Sequence, residues 1–470
     1  MSPTEVPIHY VAKFGDYYPA ELADLFSESQ ESYQNAPERP EYPEKTVPEG
    51  WPSQHPASPM IWDSETFPTD DSHKLYLSKA EVAEIDTALK FIQDLSIPPS
   101  SISKSNFPLP TLGPRLEAAC HSVHFGLGIS IIIGIPSQTY TDEQNVLVFL
   151  GISSYVGETR GRQRDDGARL VHIFHALSQG YKDNQTPIFN NNTQVFHCDF
   201  VADILTMYCI TPASSGGANS FASIPRIYNQ LARYNPEIIH TLAAPDWVFD
   251  TYGYNPPWHT RPLLFYSPPE DQDRDAMVID DDANDESDEE DEGERTPRAS
   301  LLNLNEDATI EADEEENDAG NGIPKVGRII TSFSPYRLSI TNKLNRKLKL
   351  PTLTPRQQIA VDEIEKLAKK YSITELLPSG SIVFVNNLAI LHNRNEFTED
   401  PSKPLDKMRH LMRMFLRNEE LAWPTPRELW LDWGRTFGDF EGLNEERWAA
   451  DMNRDYKSQR REAFTTDSAY

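Results

Sequence analysis

His197-Cys198-Asp199, followed far downstream by His392 and then by Arg409 and Arg413, is the pattern that most restricts how this 470-residue chain can fold. Side chains two residues apart on a strand point to the same face, so His197 and Asp199 can grip one ion. Two imidazoles and one carboxylate can occupy one face of an octahedral Fe(II), leaving three positions for other ligands. Of the twelve histidines, only His197 has an acid two residues later. With 73 acids in the chain, about two such pairs are expected by chance. Alone the pair is weak, and a surface strand with polar alternation explains it equally well. Its surroundings have to decide.

Those surroundings are strand-like. Residues 129–135 form a short β-branched apolar run between Gly128 and Pro136, and 170–174 and 203–210 read as further strands. Residues 381–385 form a strand that delivers Asn386, Asn387 and His392, and 410–416 form a last long strand. Helices are signalled at Ser78 with Glu81, a capping box, and over 223–234. Another starts at Thr354-Pro355-Arg356-Gln357, with Thr as N-cap and Pro at the first helical position.

Residues 1–60 are Pro-rich and predict an extended segment, with Trp51 and Trp62 pinned to the body. Residues 61–470 read as a single domain interrupted at 270–322. Between Glu270 and Asp318 lie 23 acids and three arginines, a local charge of −20 out of the chain's −30. Such a stretch cannot bury enough apolar surface to offset chain entropy and predicts a disordered insertion. Its bland role is a solvated loop; its sharper one is a docking surface for a basic protein partner, adjusted by phosphorylation at Thr296. The remaining −10 is ordinary, and no basic surface speaks for nucleic acid. Cys120, Cys198 and Cys209 are too few for a disulfide framework. With neither a secretory signal nor a membrane-spanning run, an intracellular, cytoplasmic protein is expected.

In order and spacing, four stretches together resemble the taurine dioxygenase-like family of Fe(II)- and 2-oxoglutarate-dependent oxygenases. They are Phe196-His197-Cys198-Asp199, the glycine turn Ser215-Gly216-Gly217-Ala218-Asn219-Ser220, the run from Phe384 to Arg394 that bears His392, and Arg409-His410-Leu411-Met412-Arg413. The similarity runs from about residue 78 to 433.

The resemblance implies a mainly β fold with flanking α-helices, a distorted double-stranded β-helix or jelly roll. It implies His197, Asp199 and His392 as catalytic metal ligands, Fe(II) as cofactor and 2-oxoglutarate as co-substrate. The co-substrate's far carboxylate suits a planar guanidinium, and the even spacing places Arg409 and Arg413 on one strand face. Either can be the anchor, and Asn219 or Ser220 can add a donor where the family often has Thr or Ser. The alternating His410, Met412, Met414 and Leu416 could instead be the buried face, leaving the arginines solvated. The implied reaction oxidises a small organic molecule at an unactivated C–H bond with dioxygen, releasing succinate and CO2. The rival expectation is an inactive jelly roll that interacts through its acidic loop.

Overall fold

The computed structural model describes residues 44–164, 166–181, 187–199, 201–250, 258–269, 327–338, 352–438, 446–452 and 455. The expected insertion at 270–322, its docking role, and residues 1–43 lie outside them. In chain order the first half contains β1 (Lys74–Tyr76), α1 (Lys79–Asp94), α2 (Leu112–Phe125), β2 (Ile129–Ile133), α3 (Asp142–Ser153), β3 (Thr159–Arg160) and β4 (Val171–Phe174). Next come β5 (Ile204–Thr211), β6 (Ser215–Gly216), β7 (Asn219–Ser223), α4 (Ile224–Tyr234), α5 (Pro236–Leu242), β8 (Trp247–Asp250), β9 (Trp258–Arg261) and β10 (Leu264–Ser267). The rest is β11 (Arg328–Thr331), α6 (Pro355–Tyr371), β12 (Ile373–Glu375), β13 (Ser381–Asn386), β14 (Ile390–Arg394), β15 (Phe397–Thr398), β16 (His410–Arg417) and α7 (Trp430–Phe437).

The helix starts follow local chemistry. Ser78 with Glu81, Thr141 with Gln144 and Thr354 with Gln357 each close a reciprocal capping box, satisfying N–H groups that the first turn leaves without partners. The middle one starts α3, a helix apolar on nearly every side and buried from Asn145 to Ser153. A helix of that kind is stable only inside a protein.

The strands form a jelly roll without a closed barrel. The larger sheet runs β1-β2-β13-β5-β16-β3, with β4 also paired to β16, and the smaller runs β12-β7-β14. All pairings are antiparallel except that of β1 with β2. Alternate residues of the central strands serve two apolar layers. Tyr208, Phe384, Met412, Met414 and Leu416 face the layer under α1, α2 and α3. Leu205, Met207, Val383, Val385, Leu411 and Phe415 face Phe221 and Ile390 of the smaller sheet. A third layer packs the back of the smaller sheet, through Ala222 and Leu391, against α4, α5 and α6. The central strands are therefore buried on both faces, which is why they read as apolar runs. Each fully buried Leu or Phe there contributes about 1.5–3 kcal/mol.

The irregular stretch before β1 is held by its tryptophans. Trp62 is 1% exposed and donates its indole N–H to the Leu127 carbonyl at 2.9 Å, while Trp51 stacks on Tyr228. Beyond 250, β10 and β11 pair directly, with Ser267 opposite Arg328, so the chain leaves and re-enters this sheet at adjacent positions. Among the described residues, no helix is long and apolar enough to cross a membrane.

Candidate active site

The chain crosses from one sheet to the other at Asn386-Asn387-Leu388-Ala389, between β13 and β14. The crossing is locked by side chains: Asn386 Oδ1 accepts from Leu388 N, and Asn386 Nδ2 donates to the Val123 carbonyl. Two residues into β14 stands His392. The segment carrying His197 is no regular strand; it meets β14 only at an isolated bridge, where His197 N donates to His392 O and His392 N to His197 O, both at 2.9 Å. The two histidines are thus placed by each other's backbone, and their rings lie 4.3 Å apart between centroids.

Asp199 completes the set. One atom each from His197, Asp199 and His392 lies within 4.8 Å of the others, the only such group among the described residues. Asn387 holds this loop from the side: its Oδ1 accepts from Asp199 N at 2.8 Å, and its Nδ2 donates to the Asp199 and Ala202 carbonyls. Cys198 faces away among apolar residues, and its backbone N–H donates to the Phe333 carbonyl.

The electrostatics suit a cation. His197 Nδ1–H donates to the Val195 carbonyl at 2.8 Å, which leaves Nε2 bare, 3.8 Å from Asp199 Oδ1. Burial, and then the neighbouring His197, push His392 down to about 3, so this imidazole is neutral at ordinary pH. Burial likewise lowers His197. For Asp199, burial acts upward, but Arg413 and the two imidazoles together outweigh it and hold the carboxyl below its ordinary value. Two neutral imidazoles and one carboxylate are the protonation states in which these groups bind metal.

Arg413 of β16 is on the inner face with Leu411 and Phe415, Arg409 just before the strand is buried as well, and Met412, Met414 and Leu416 are buried on the other side. Arg413 is engaged: Nη1 donates to Asp199 Oδ2 at 3.0 Å and Nε to Gln163 Oε1 at 2.8 Å. Arg409 is different. It is 4% exposed, its Nη1 is buried without a hydrogen-bond partner, and its guanidinium lies 4.9 Å from the Phe397 ring. Arg394 lies at the same distance from that ring but directs its donors to Asn190 and Asn192.

The glycine turn explains itself here. Gly216 and Gly217 both have φ of +74°, and a Cβ on Gly216 would collide with the Glu396 carbonyl, beside the residue that supports Arg409. Past this turn, register separates the two donors the sequence leaves open. Asn219 pairs with Arg394 on the face that Phe221 and His392 share. Ser220 is on the reverse face, its hydroxyl 2.9 Å from that of Thr374. The structure therefore brings His197, Asp199, His392 and Arg413 together, buries Arg409 beside the glycine turn and Phe397, puts Asn219 on the strand face of His392, and turns Ser220 away. Sequence reading passes over Gln163, Phe397 and the clamping role of Asn387. For Asn387 a signal exists, since paired asparagines after an apolar strand mark a turn whose amides need partners.

Comparison with known proteins now adds to this geometry. The family model "Taurine catabolism dioxygenase TauD, TfdA family" matches residues 93–415. Taurine hydroxylase-like protein SAT17 of Stachybotrys chartarum is 28% identical over 389 residues, covering 80% of this chain and 84% of that protein. FR-33289 synthase of Streptomyces rubellomurinus is 25% identical over 199 residues, 42% of this chain and 58% of that one. Among solved structures, an asparagine oxygenase in complex with Fe(II), hydroxyasparagine and succinate is 13% identical with a TM-score of 0.48, covering 73% of this chain and 93% of its own. The non-heme iron oxygenase OrfP with Fe and alpha-ketoglutaric acid has a TM-score of 0.46 at the same identity and coverage.

Proposed function

The chain belongs to the TauD, TfdA dioxygenase family, and from that premise we propose that it oxidises an unactivated C–H bond of a small organic molecule. The family depends on Fe(II) and 2-oxoglutarate and makes this chain an oxidoreductase. The donor set fits the metal: neutral imidazoles and one ionised carboxylate leave Fe(II) with a net single positive charge, suited to an anionic co-substrate. In this reading His197, Asp199 and His392 hold the iron. When bound, iron and 2-oxoglutarate together supply activation of dioxygen, with release of succinate and CO2.

The protein's own groups position and balance charge. Val195 fixes the tautomer of His197, which is how an outer partner orients a ligand. Arg413 keeps Asp199 ionised and fixes which of its oxygens is free. Arg409 is the anchor for the far carboxylate, because its buried donor has no protein partner while both contacts of Arg413 are internal. Asn219 offers an amide on the same face as His392. That buried, unpartnered guanidinium donor, four residues along the chain from the Arg413 that binds Asp199, is the observation that carries the assignment.

The test is succinate formation by the full-length protein with Fe(II) and 2-oxoglutarate, screened over amino acids, sulfonates and other small organic acids. Stimulation by one compound, with one oxygen atom from O2 in the product, supports the proposal. Stimulation by none, together with no Fe(II)–2-oxoglutarate absorption band under anaerobic conditions, points to the inactive jelly roll instead.

A further inference from the structure

One of the other buried guanidiniums, that of Arg328, lies away from the His/Asp/His cluster. Arg328 opens β11, whose chain runs on to Phe333 and its contact with Cys198; five residues of extended chain span about 16 Å. Arg328 is 6% exposed, and its Nε is buried without a hydrogen-bond partner. Among the described residues no acid pairs with it. Its guanidinium is held between two rings, 4.6 Å from Trp423 and 5.0 Å from Phe125.

These three side chains line a cavity of about 150 Å³, together with Met60, Ala57 and His124. A cavity of that volume accepts a benzene-sized molecule. His124 is 3% exposed and donates Nδ1–H to the Cys120 carbonyl, so its buried Nε2 is an acceptor without a partner. Burial drives His124 down to about 4 and Arg328 to about 10, so one group is neutral and the other charged at ordinary pH.

We propose that this cavity is a binding site for a small monocarboxylic acid with an apolar body. A buried cation without a counter-charge is costly, and an anion inside the cavity removes that cost. A carboxylate matches the planar fork of arginine, and the ring and thioether walls suit an apolar remainder. One feature disfavours phosphate: the single guanidinium matches one carboxylate and leaves the second charge of a phosphate unbalanced. The inference is independent of the proposed reaction.

The experiment is calorimetric titration of benzoate into the full-length protein holding Fe(II) and saturating 2-oxoglutarate without oxygen. One site is expected, with benzamide at least about tenfold weaker because it lacks the charge-assisted bond. Arg328→Gln should lose at least about tenfold in affinity, and Ala57→Phe, which narrows the cavity without touching Arg328, should lose binding too. Raising 2-oxoglutarate further should leave benzoate binding unchanged. Should Arg328→Gln fail to fold, Ala57→Phe decides. The proposal is overturned if wild-type protein takes up no benzoate at millimolar concentration, if Ala57→Phe binds it normally, or if added 2-oxoglutarate displaces the benzoate. It is equally overturned if inorganic phosphate binds more tightly than benzoate.

Discussion

Replacing Arg409 by Lys tests the anchor assignment most directly. The guanidinium is 4% exposed, rests on Phe397 and has one buried nitrogen with no partner in the protein. An arginine–carboxylate pair makes two parallel charge-assisted hydrogen bonds, and lysine at the same site keeps the charge but makes one. A hydrogen bond to a charged group contributes about 1.5–3 kcal/mol, so 2-oxoglutarate affinity should fall about 10- to 150-fold. Iron affinity should stay near its wild-type value, because Arg409 does not touch His197, Asp199 or His392. The assay is anaerobic titration of 2-oxoglutarate into Fe(II)-loaded protein, followed by the visible absorption band, with iron retention measured against a chelator. Arg413→Lys is the comparator. Its contacts are with Asp199 and Gln163, so it should weaken iron retention first. The reasoning is refuted if Arg409→Lys leaves the 2-oxoglutarate titration unmoved while Arg413→Lys shifts it tenfold or more.

Three other outcomes are expected. His197→Ala, Asp199→Ala and His392→Ala should each abolish iron binding and succinate formation together, since three ligands sharing one ion fail as a unit; iron stoichiometry and circular dichroism check this. Asp432→Asn should destabilise the fold by about 3–5 kcal/mol in urea titrations, because it strips a buried ion pair of its charge: the carboxylate lies 2.8 Å from Arg261 Nε and 3.3 Å from His259 Nε2. Burial acts upward on that carboxyl, but His259 and Arg261 hold it far below the ordinary carboxylate range. Its contribution is therefore present above the unfolded value of about 3.9 and is lost as pH falls through the lower folded value, a loss at low pH that Asp432→Asn should not show. Deleting residues 271–321 behind a short Gly/Ser linker should preserve melting temperature, iron binding and basal 2-oxoglutarate decarboxylation, since Ser267 and Arg328 already face each other.

Much of this was readable because single residues had single meanings. The β-branched and apolar runs became β2, β5, β13 and β16, since a strand buried on both faces needs no polar alternation. The capping boxes at Ser78 and Thr354 marked helix starts because few other arrangements satisfy the first-turn N–H groups. Helix α3 was silent for the opposite reason: without a polar face, Val146 to Ile152 carries no period to detect. Which of Asn219 and Ser220 shares a face with His392 depends on register, where one residue exchanges the faces of a strand, and it is read only from the pairing with β14. The same holds for β16, where His410 to Leu416 and the arginines both looked able to face inward. Both series are in fact covered, one by helices and one by the second sheet. The division of labour proposed for Arg409 and Arg413 rests on partners that are distant in sequence, Asp199 and Gln163.

The inner face of β16 also keeps a charge ledger. Arg417 is matched by Asp203 at 2.5 Å and Arg413 by Asp199 at 3.0 Å, four residues apart on both sides. Arg409, four residues before Arg413, has no acid against its guanidinium among the described residues, and its Nη1 is buried without a partner. Two of three cations in this seam are therefore neutralised by the protein, and the third is left to whatever enters. In the proposed anchor role of Arg409, a visitor would be sorted by net charge before its shape is read: an anion would balance the third cation, whereas a neutral molecule of identical outline would leave a buried positive charge without a counterpart.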